Sequence, residues 1–413
     1  MQSLTIAFLV ALLAMVTVRL VLATRQLHAL ARHRDAVPAP FAATISAADH
    51  AKAADYGSAR LRFGRLELVW DAVLLLIVTL GGGFAALDAA VARLHLAPLA
   101  HGVTTLSLLA LGLSVAGLPF ELYATFGIEA RFGFNRTTPR LYFIDLVRSL
   151  LLGIVIGVPL LALVLALMAA AGRLWWLYAW LAWVAFAVVA TLLWPRLIAP
   201  LFNKFRPLEA GALREAIERV MQECGFASEG VFVMDGSRRS SHGNAYFTGL
   251  GRHKRIVLFD TLLERLVPGE VEAVLAHELG HFRLHHIRQR LALGFGAALL
   301  GFALLGQAAL EPRFYSALGV PSASPHAALA LFVMVVPVFT FLLAPLASWW
   351  SRRHEYQADR FAAAHADGAQ LASALVKLYR DNASTLTPDP WYSAWHDSHP
   401  PALARIAALE RGG

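Results

Sequence analysis

Seven long apolar stretches dominate this sequence, and each is long enough to cross a lipid bilayer. A helix needs about 20 residues to cross a hydrocarbon core of roughly 30 Å. Hydrophobic residues make up 58% of the 413-residue chain and charged residues only 15%, whereas soluble domains carry roughly 25% charged residues. The sequence therefore predicts seven transmembrane helices, at 4–23, 68–87, 102–120, 149–171, 174–194, 291–310 and 327–348.

The first stretch is interpreted as an uncleaved span, because it lacks the charged start and the small-x-small cleavage site of a signal peptide. Orientation follows from the loops, since Lys and Arg concentrate on the cytoplasmic side. The loop 24–67 and the loop after the third span are rich in basic residues, and the alternate loops have essentially one each. This alternation predicts an outside N-terminus, with 195–286 and 349–413 in the cytoplasm.

Charge and cysteine content limit the partners of the chain. The net charge of +8 suits a surface that rests on the anionic lipids of a bilayer. The basic residues are spread over loops and are not clustered with aromatic residues, so no nucleic-acid partner is expected. Cys224 is the only cysteine, which excludes an intrachain disulfide, and it is interpreted as a structural thiol.

The spans divide the chain into four parts. These are five spans with cytoplasmic loops 24–67 and 121–148 (1–194), a soluble segment (195–286), spans six and seven (287–348) and a soluble tail (349–413). In the soluble segment, residue patterns predict a helix at 210–224, strands at 231–234, 245–247 and 256–259, and a helix beginning near Pro268. The predicted fold is mainly α, with a small cytoplasmic α+β domain.

The helix after Pro268 carries the sequence His-Glu-Leu-Gly-His at 277–281. Residues four apart on a helix lie on one face, so His277 and His281 can present two imidazoles to a single zinc ion. Glu278 can then act as the general base that takes a proton from the attacking water. A motif this short also occurs by chance, so the interpretation depends on finding a third ligand.

Glu355 is the candidate third ligand, in the sequence Arg-Arg-His-Glu-Tyr-Gln-Ala-Asp-Arg at 352–360. A His₂Glu site leaves a fourth position for water, and Asp359, one turn later, can accept a hydrogen bond from a ligand histidine. By itself this pair could be an exposed helical face with ion pairs. A third histidine of the metzincin type is excluded, because the required position holds Ile287. His286 is interpreted as a polar residue at the membrane boundary.

These residues resemble the zinc-dependent CAAX prenyl endopeptidases, seven-span membrane proteases of the gluzincin type. The resemblance extends from about residue 130 to 405. Besides the two metal motifs, it rests on GFNRTT at 133–138, FNKF at 202–205, VMDGS at 233–237, SHGNAYF at 241–247, RIVLFDT at 255–261 and YSAWHDSHPP at 392–401. It implies one zinc ion per chain, and spans that enclose a water-filled chamber with the zinc at one end.

The resemblance also implies further site residues. His399 would donate a hydrogen bond to the developing oxyanion, and the strand at Asn244, Ala245 and Tyr246 would pair with an extended substrate. Arg352 would either orient Glu355 or receive a substrate carboxylate. For the carboxylates Asp71 and Asp88, near the two ends of the second span, a water-filled chamber and exposure at the membrane interface are equally good explanations.

The substrate is expected to be a membrane-associated or CAAX-type C-terminal peptide, with prenylation open. The composition, heavy in Ala and Leu, suits a bacterial homologue, so an inner membrane is favoured over the endoplasmic reticulum. Two alternatives remain: a quality-control protease of membrane proteins, and a catalytically inactive scaffold or transporter.

Overall fold

The computed structural model describes residues 3–223, 225–226, 229–248 and 254–412. Within them, 18 α-helices and one small sheet form the fold. The helices of the first half are α1 Ser3–His33, α2 Ala47–Val78, α3 Gly83–Ala92, α4 Pro98–Leu122, α5 Pro139–Leu152, α6 Val158–Ala170, α7 Trp175–Leu193, α8 Ala199–Phe202 and α9 Ala212–Glu223. Those of the second half are α10 Asp260–Leu263, α11 Pro268–Arg283, α12 His286–Ala308, α13 Pro312–Ala317, α14 Pro325–Thr340, α15 Ala344–His365, α16 Gly368–Asp381, α17 Pro390–His396 and α18 Ala402–Gly412.

The apolar helices confirm the expected membrane-spanning architecture. In the described part of the chain, six continuous helical stretches are long and apolar enough to cross a membrane, and the bent pair α2 and α3 makes a seventh if it is one span. Each predicted span overlaps one of these seven. The six stretches are Ser3–His33, Pro98–Glu129, Pro139–Ala170, Gly172–Phe202, His286–Ala308 and Pro325–His365.

The second span is broken, which the sequence analysis did not predict. The axes of α2 and α3 differ by 50°, and the break falls at three consecutive glycines. Gly82 has φ +77°, in the left-handed region that favours glycine. A Cβ on Gly81 would lie 2.8 Å from the carbonyl oxygen of Ile77, so the chain turns here only because no side chain is present.

Several of the membrane helices are loosely packed. Only 6% of the most apolar part of the stretches Pro98–Glu129 and Gly172–Phe202 is buried. A helix in a close-packed bundle buries one face against its neighbours and leaves the other to lipid. Most residues of these two stretches are therefore left accessible to the surroundings of the protein.

A four-stranded sheet forms the base of the soluble region. Its strands are β1 Phe205–Pro207, β2 Val231–Met234, β3 Ala245–Thr248 and β4 Arg255–Phe259, in the order β1-β2-β4-β3. Strands β2 and β4 are parallel, and β1 and β3 are antiparallel to their neighbours. The strands β2, β3 and β4 and the helices α9 and α11 lie where the sequence predicts them. Cys224 and the loop residues 249–253 lie outside the described residues.

The two soluble segments share one hydrophobic core, although two membrane spans separate them in sequence. Ile217, Leu258 and Leu275 of the first segment pack with Leu371 and Ile406 of the second. The C-terminal helix α16 thus packs against the helix α11 that carries the His-Glu-Leu-Gly-His motif, and α18 packs against α16 and α15. The tail is therefore part of the domain that holds the motif.

Glu270 fixes the start of α11 and ties it to α16. Its buried carboxylate accepts hydrogen bonds from the Val267 amide at 3.0 Å, from Ser373 Oγ at 2.7 Å and from Lys377 Nζ at 2.8 Å. Burial alone would raise the pKa of Glu270, but these hydrogen bonds outweigh burial and hold it below the usual value. The stability that Glu270 contributes is therefore present at neutral pH and lost as the pH falls through its folded-state pKa.

We expect Glu270→Gln to lower the free energy of unfolding at pH 7 by about 2–3 kcal/mol, since it leaves Lys377 without its buried partner. The loss should shrink as the pH falls through the lowered folded-state pKa of Glu270, where the wild-type carboxyl becomes protonated. Thermal unfolding of the purified protein in detergent at several pH values measures both effects. The exposed Glu264→Gln is the matched control, and an equal loss in both variants would contradict the role of Glu270.

Candidate metal centre

Two helices bring the predicted ligands together. His277 and His281 lie one turn apart on α11, and Glu355 lies on α15. The two imidazole Nε2 atoms are 3.3 Å apart, and Glu355 oxygens lie 3.5 Å from His277 Nε2 and 3.3 Å from His281 Nε2. Three potential ligand atoms therefore converge on one point, from positions up to 78 residues apart.

The helices can approach this closely because Gly280 lies where they touch. A Cβ on Gly280 would lie 3.1 Å from the Cα of Ala358 and 3.1 Å from the Cβ of Phe361, both on α15. Such contacts are tighter than side-chain packing normally allows. The glycine of the His-Glu-Leu-Gly-His motif thus sets the distance between the helix of the two histidines and the helix of Glu355.

The arrangement fits a metal ion by two independent criteria. Ligand atoms at bonds of about 2.0–2.1 Å in a tetrahedral site lie about 3.3 Å apart, which agrees with the three separations. Among the described residues, Glu355 Oε2 is one of the few buried side-chain atoms that form no hydrogen bond. A buried carboxylate oxygen without a donor is costly unless a cation binds it.

Behind His277 lies a buried network of charges. Asp359 Oδ1 is 2.8 Å from His277 Nδ1, and Arg405 of α18 donates to both carboxylate oxygens of Asp359, at 2.8 and 2.7 Å. A carboxylate that accepts from Nδ1 fixes the ring so that Nε2 faces the metal. Burial opposes protonation of His277, but the Asp359 and Glu355 carboxylates outweigh it and raise its pKa to about 9.

Arg405 was not predicted from the sequence. Its signal was an arginine between Ala404 and Ile406 in the terminal helix α18, and nothing local indicates which carboxylate it pairs with.

The ring of His281 contacts another histidine, His286, whose place was predicted wrongly from the sequence. His286 was interpreted as a boundary residue, but it is only 1% exposed. Its Nδ1 lies 3.0 Å from His281 Nδ1, and its Nε2 lies 2.9 Å from the side-chain oxygen of Gln357. The ring also stacks on His354 at a centroid distance of 3.9 Å. His286 therefore orients the ring of His281, as Asp359 orients the ring of His277.

His399 and Arg352 lie at the edge of the centre. His399 Nε2 is 3.5 Å from Glu355 Oε2, on a mostly exposed side chain. Among the residues that the structure describes, Arg352 pairs with no carboxylate, and in particular not with Glu355. Its Nη1 donates to the carbonyl oxygens of Ser393 at 3.2 Å and Asp397 at 2.8 Å. These carbonyls lie in and just after α17, and that of Ser393 also accepts a hydrogen bond from the Asp397 amide at 3.0 Å. Through these hydrogen bonds Arg352 fixes the position of the backbone segment that precedes His399.

A cavity of about 840 Å³ opens beside these residues. Its lining includes His277, Glu278, Glu355 and His399, and it continues along α1 and α2 past residues such as Leu30 and Leu68. Burial raises the pKa of the Glu278 carboxyl above its usual value, which suits a general base working near neutral pH.

Strand β3 forms one wall of the cavity. It is an outer strand of the sheet, paired only with β4 among the described strands. Asn244, just before the strand, and Ala245 line the cavity. The Tyr246 side chain instead packs on Phe259, with ring centroids 6.1 Å apart. The structure thus brings two of these three predicted substrate-binding side chains to the site.

Comparison with known families agrees with this geometry. Residues 26–204 match a family model described as CAAX prenyl protease N-terminal, five membrane helices. Residues 207–412 match the model of peptidase family M48. The chain belongs to peptidase family M48. The match confirms the predictions of a metalloendopeptidase, of a peptide or protein substrate and of a multi-pass membrane protein.

Individual relatives span most of this M48 peptidase. The CAAX prenyl protease 1 homolog of Arabidopsis thaliana is 36% identical over 86% of this chain and 81% of that protein. CAAX prenyl protease 1 of Saccharomyces cerevisiae is 37% identical over 77% and 74%. The crystal structure of S. mikatae Ste24p matches with a TM-score of 0.93 and 30% identity, over 99% of this chain and 100% of that one. The fold is therefore shared along nearly the whole chain.

We expect Gly280→Ala to weaken metal binding by about 10-fold or more, because its methyl group pushes α15 and Glu355 away from the two histidines. Metal retained by the M48 peptidase after dialysis against graded chelator concentrations measures the effect. Gly294→Ala is the matched control, since its Cβ would meet nothing within 4 Å. Equal metal retention in the two variants would contradict the spacing role of Gly280.

Proposed function

We propose that this M48 peptidase is a zinc endopeptidase that cleaves CAAX-type C-terminal sequences of membrane-associated proteins. The observation that supports it best is the meeting of His277, His281 and Glu355 on the wall of a cavity that continues along α1 and α2. The two Nε2 atoms are 3.3 Å apart, and each lies within 3.5 Å of one Glu355 carboxylate oxygen. A substrate held in that cavity can keep an apolar group near the bilayer while its peptide bond reaches Glu278.

Zinc is the proposed ion because imidazole and carboxylate in a three-ligand tetrahedral set are typical of catalytic zinc. His277, His281 and Glu355 would hold it. When bound, zinc supplies a Lewis acid that polarises the peptide carbonyl and acidifies water. Asp359 and Arg352 would position other residues and would not bind the ion. Asp359 orients the His277 ring, and Arg352 donates hydrogen bonds to the backbone that precedes His399.

Glu278 is the proposed general base. Its carboxylate takes the proton of the attacking water and delivers it to the leaving nitrogen of the peptide. His399 donates from Nε2 to the oxygen on which negative charge develops. Its hydrogen bond with Ser398 Oγ, 3.0 Å from Nδ1, fixes the ring.

Strand β3 is the proposed docking edge for the substrate. An extended peptide can pair with the free edge of an outer strand through main-chain hydrogen bonds. Asn244, Ala245 and Tyr246 would then bind the substrate mainly through backbone groups. This mode selects for extended, flexible C-termini and against folded domains.

The CAAX-type substrate is proposed from the printed names of the relatives and from the lining of the cavity along α1 and α2. There the apolar side chains of Leu30, Leu61 and Leu68 lie among the arginines Arg19, Arg60 and Arg65. The charge distribution of the loops supports a cytoplasmic centre, with 1–194 and 287–348 as the membrane parts and 195–286 with 349–413 as the soluble part. The Ala- and Leu-heavy composition supports a bacterial inner membrane over the endoplasmic reticulum.

We expect Glu278→Gln to lower kcat by at least about 100-fold, because the amide cannot accept the proton of the water. Metal content should stay at the wild-type level. Cleavage of a quenched fluorescent CAAX peptide, together with metal analysis, measures both. Glu272→Gln, on the same helix but not lining the cavity, is the matched control. Wild-type cleavage by Glu278→Gln would contradict its role.

A farnesylated CAAX peptide should be cleaved with a kcat/KM at least about 10-fold higher than its unprenylated twin, since apolar burial in the cavity contributes to binding. Mass spectrometry should locate the cut after the prenylated cysteine. Equal rates on both peptides would contradict the prenyl part of the proposal. They would instead favour a quality-control protease of membrane proteins.

A further inference from the structure

A second group of metal-binding side chains lies away from the catalytic centre. Asp88 of α3, His101 of α4 and His326 of α14 meet from positions up to 238 residues apart. His101 Nε2 is 2.6 Å and His326 Nε2 is 2.8 Å from the same atom, Asp88 Oδ1. Among the described residues, only this group and the catalytic one bring three such side chains within 4.8 Å.

The surroundings hold the rings in this arrangement. The two imidazole centroids are 5.2 Å apart, and the ring of Phe84 lies 6.2 Å from that of His326. A Cβ on Gly102 would lie 3.2 Å from the Cβ of His326, so a glycine leaves room for the buried imidazole. Ser324 Oγ lies 3.2 Å from His326 Nε2. The group is thus packed into the protein and is not a chance cluster on the surface.

The group lies at the end of the helices remote from catalysis. Residue 326 is in the first turn of α14, and Glu355 follows 29 residues later on α15, which continues the same helical path. At about 1.5 Å per residue, the two points are separated by roughly 40 Å along that path. An ion bound at Asp88 could therefore not be the catalytic ion.

We propose that Asp88, His101 and His326 form a second metal site, which takes a divalent transition metal ion of the zinc class. Two imidazoles select zinc, nickel, copper or iron over magnesium and calcium, which prefer oxygen ligands. The Nε2 atoms become ligands when each ring carries its proton on Nδ1, and a small rotation of the carboxylate opens the space between the three atoms. The ion joins α3, α4 and α14 at the end of the helices remote from the catalytic centre.

Metal content per chain tests the proposal. The full-length protein in detergent is stripped with chelator, equilibrated with Zn²⁺, separated from free ion and measured by mass spectrometry of the metal. Wild type should hold two ions per chain, and His326→Gln should hold one while still cleaving peptide. His281→Ala, which removes a catalytic ligand, should also hold one, and the double variant none. The control variant His95→Asn changes an exposed histidine between α3 and α4, and it should hold two ions.

One ion per chain in the wild type together with none in His281→Ala would overturn the proposal, and would show that the triad is held by hydrogen bonds alone. An ion that persists in the double variant would place any second site elsewhere and overturn it equally. If His326→Gln unfolds, the His281→Ala variant still decides, because adding Zn²⁺ should raise its unfolding midpoint only if the remote site exists. If the wild-type protein holds two ions per chain but does not cleave peptide, the proposed function is contradicted and the second metal site is supported.

Discussion

The close contact between α11 and α15 at Gly280 is the constraint on which the rest of the structure depends. It sets the distance between the two histidines and Glu355, and a hydrogen atom in place of a side chain makes it possible. Between these helices the chain crosses the bilayer in α12 and again in α14. The position of Glu355 therefore depends on the membrane spans, because the last span, α14, continues directly into α15.

Burying charge behind His277 carries a large desolvation cost, which the hydrogen bonds among His277, Asp359 and Arg405 offset. Arg405 satisfies both oxygens of Asp359, and Asp359 accepts from His277. Breaking such a pair costs far more than the pair contributes in isolation. The tail that contains Arg405 and His399 must consequently fold onto α11 before the centre is complete, and the shared hydrophobic core brings it there.

Local patterns in the sequence predicted most of the fold and the ligands. Each of these features depends on a pattern within a short run of residues. This holds for a membrane span, for the i,i+4 histidine pair and for the strands β2, β3 and β4. What the sequence did not predict depends on distant partners: Arg405 and His286 have no local mark of their role, and Arg352 contacts backbone carbonyls. The break at Gly81 and the short edge strand at Phe205 were missed because glycine and proline weaken the ordinary patterns.

X-ray absorption spectroscopy at the zinc edge tests the central claim most directly, on the purified His326→Gln variant, in which the catalytic centre keeps all its ligands. The account predicts a four-coordinate shell of nitrogen and oxygen at about 2.0–2.1 Å, with the scattering of two imidazoles. A shell that contains sulfur, or the scattering of a third imidazole, would contradict the assignment of His277, His281 and Glu355 as the ligands.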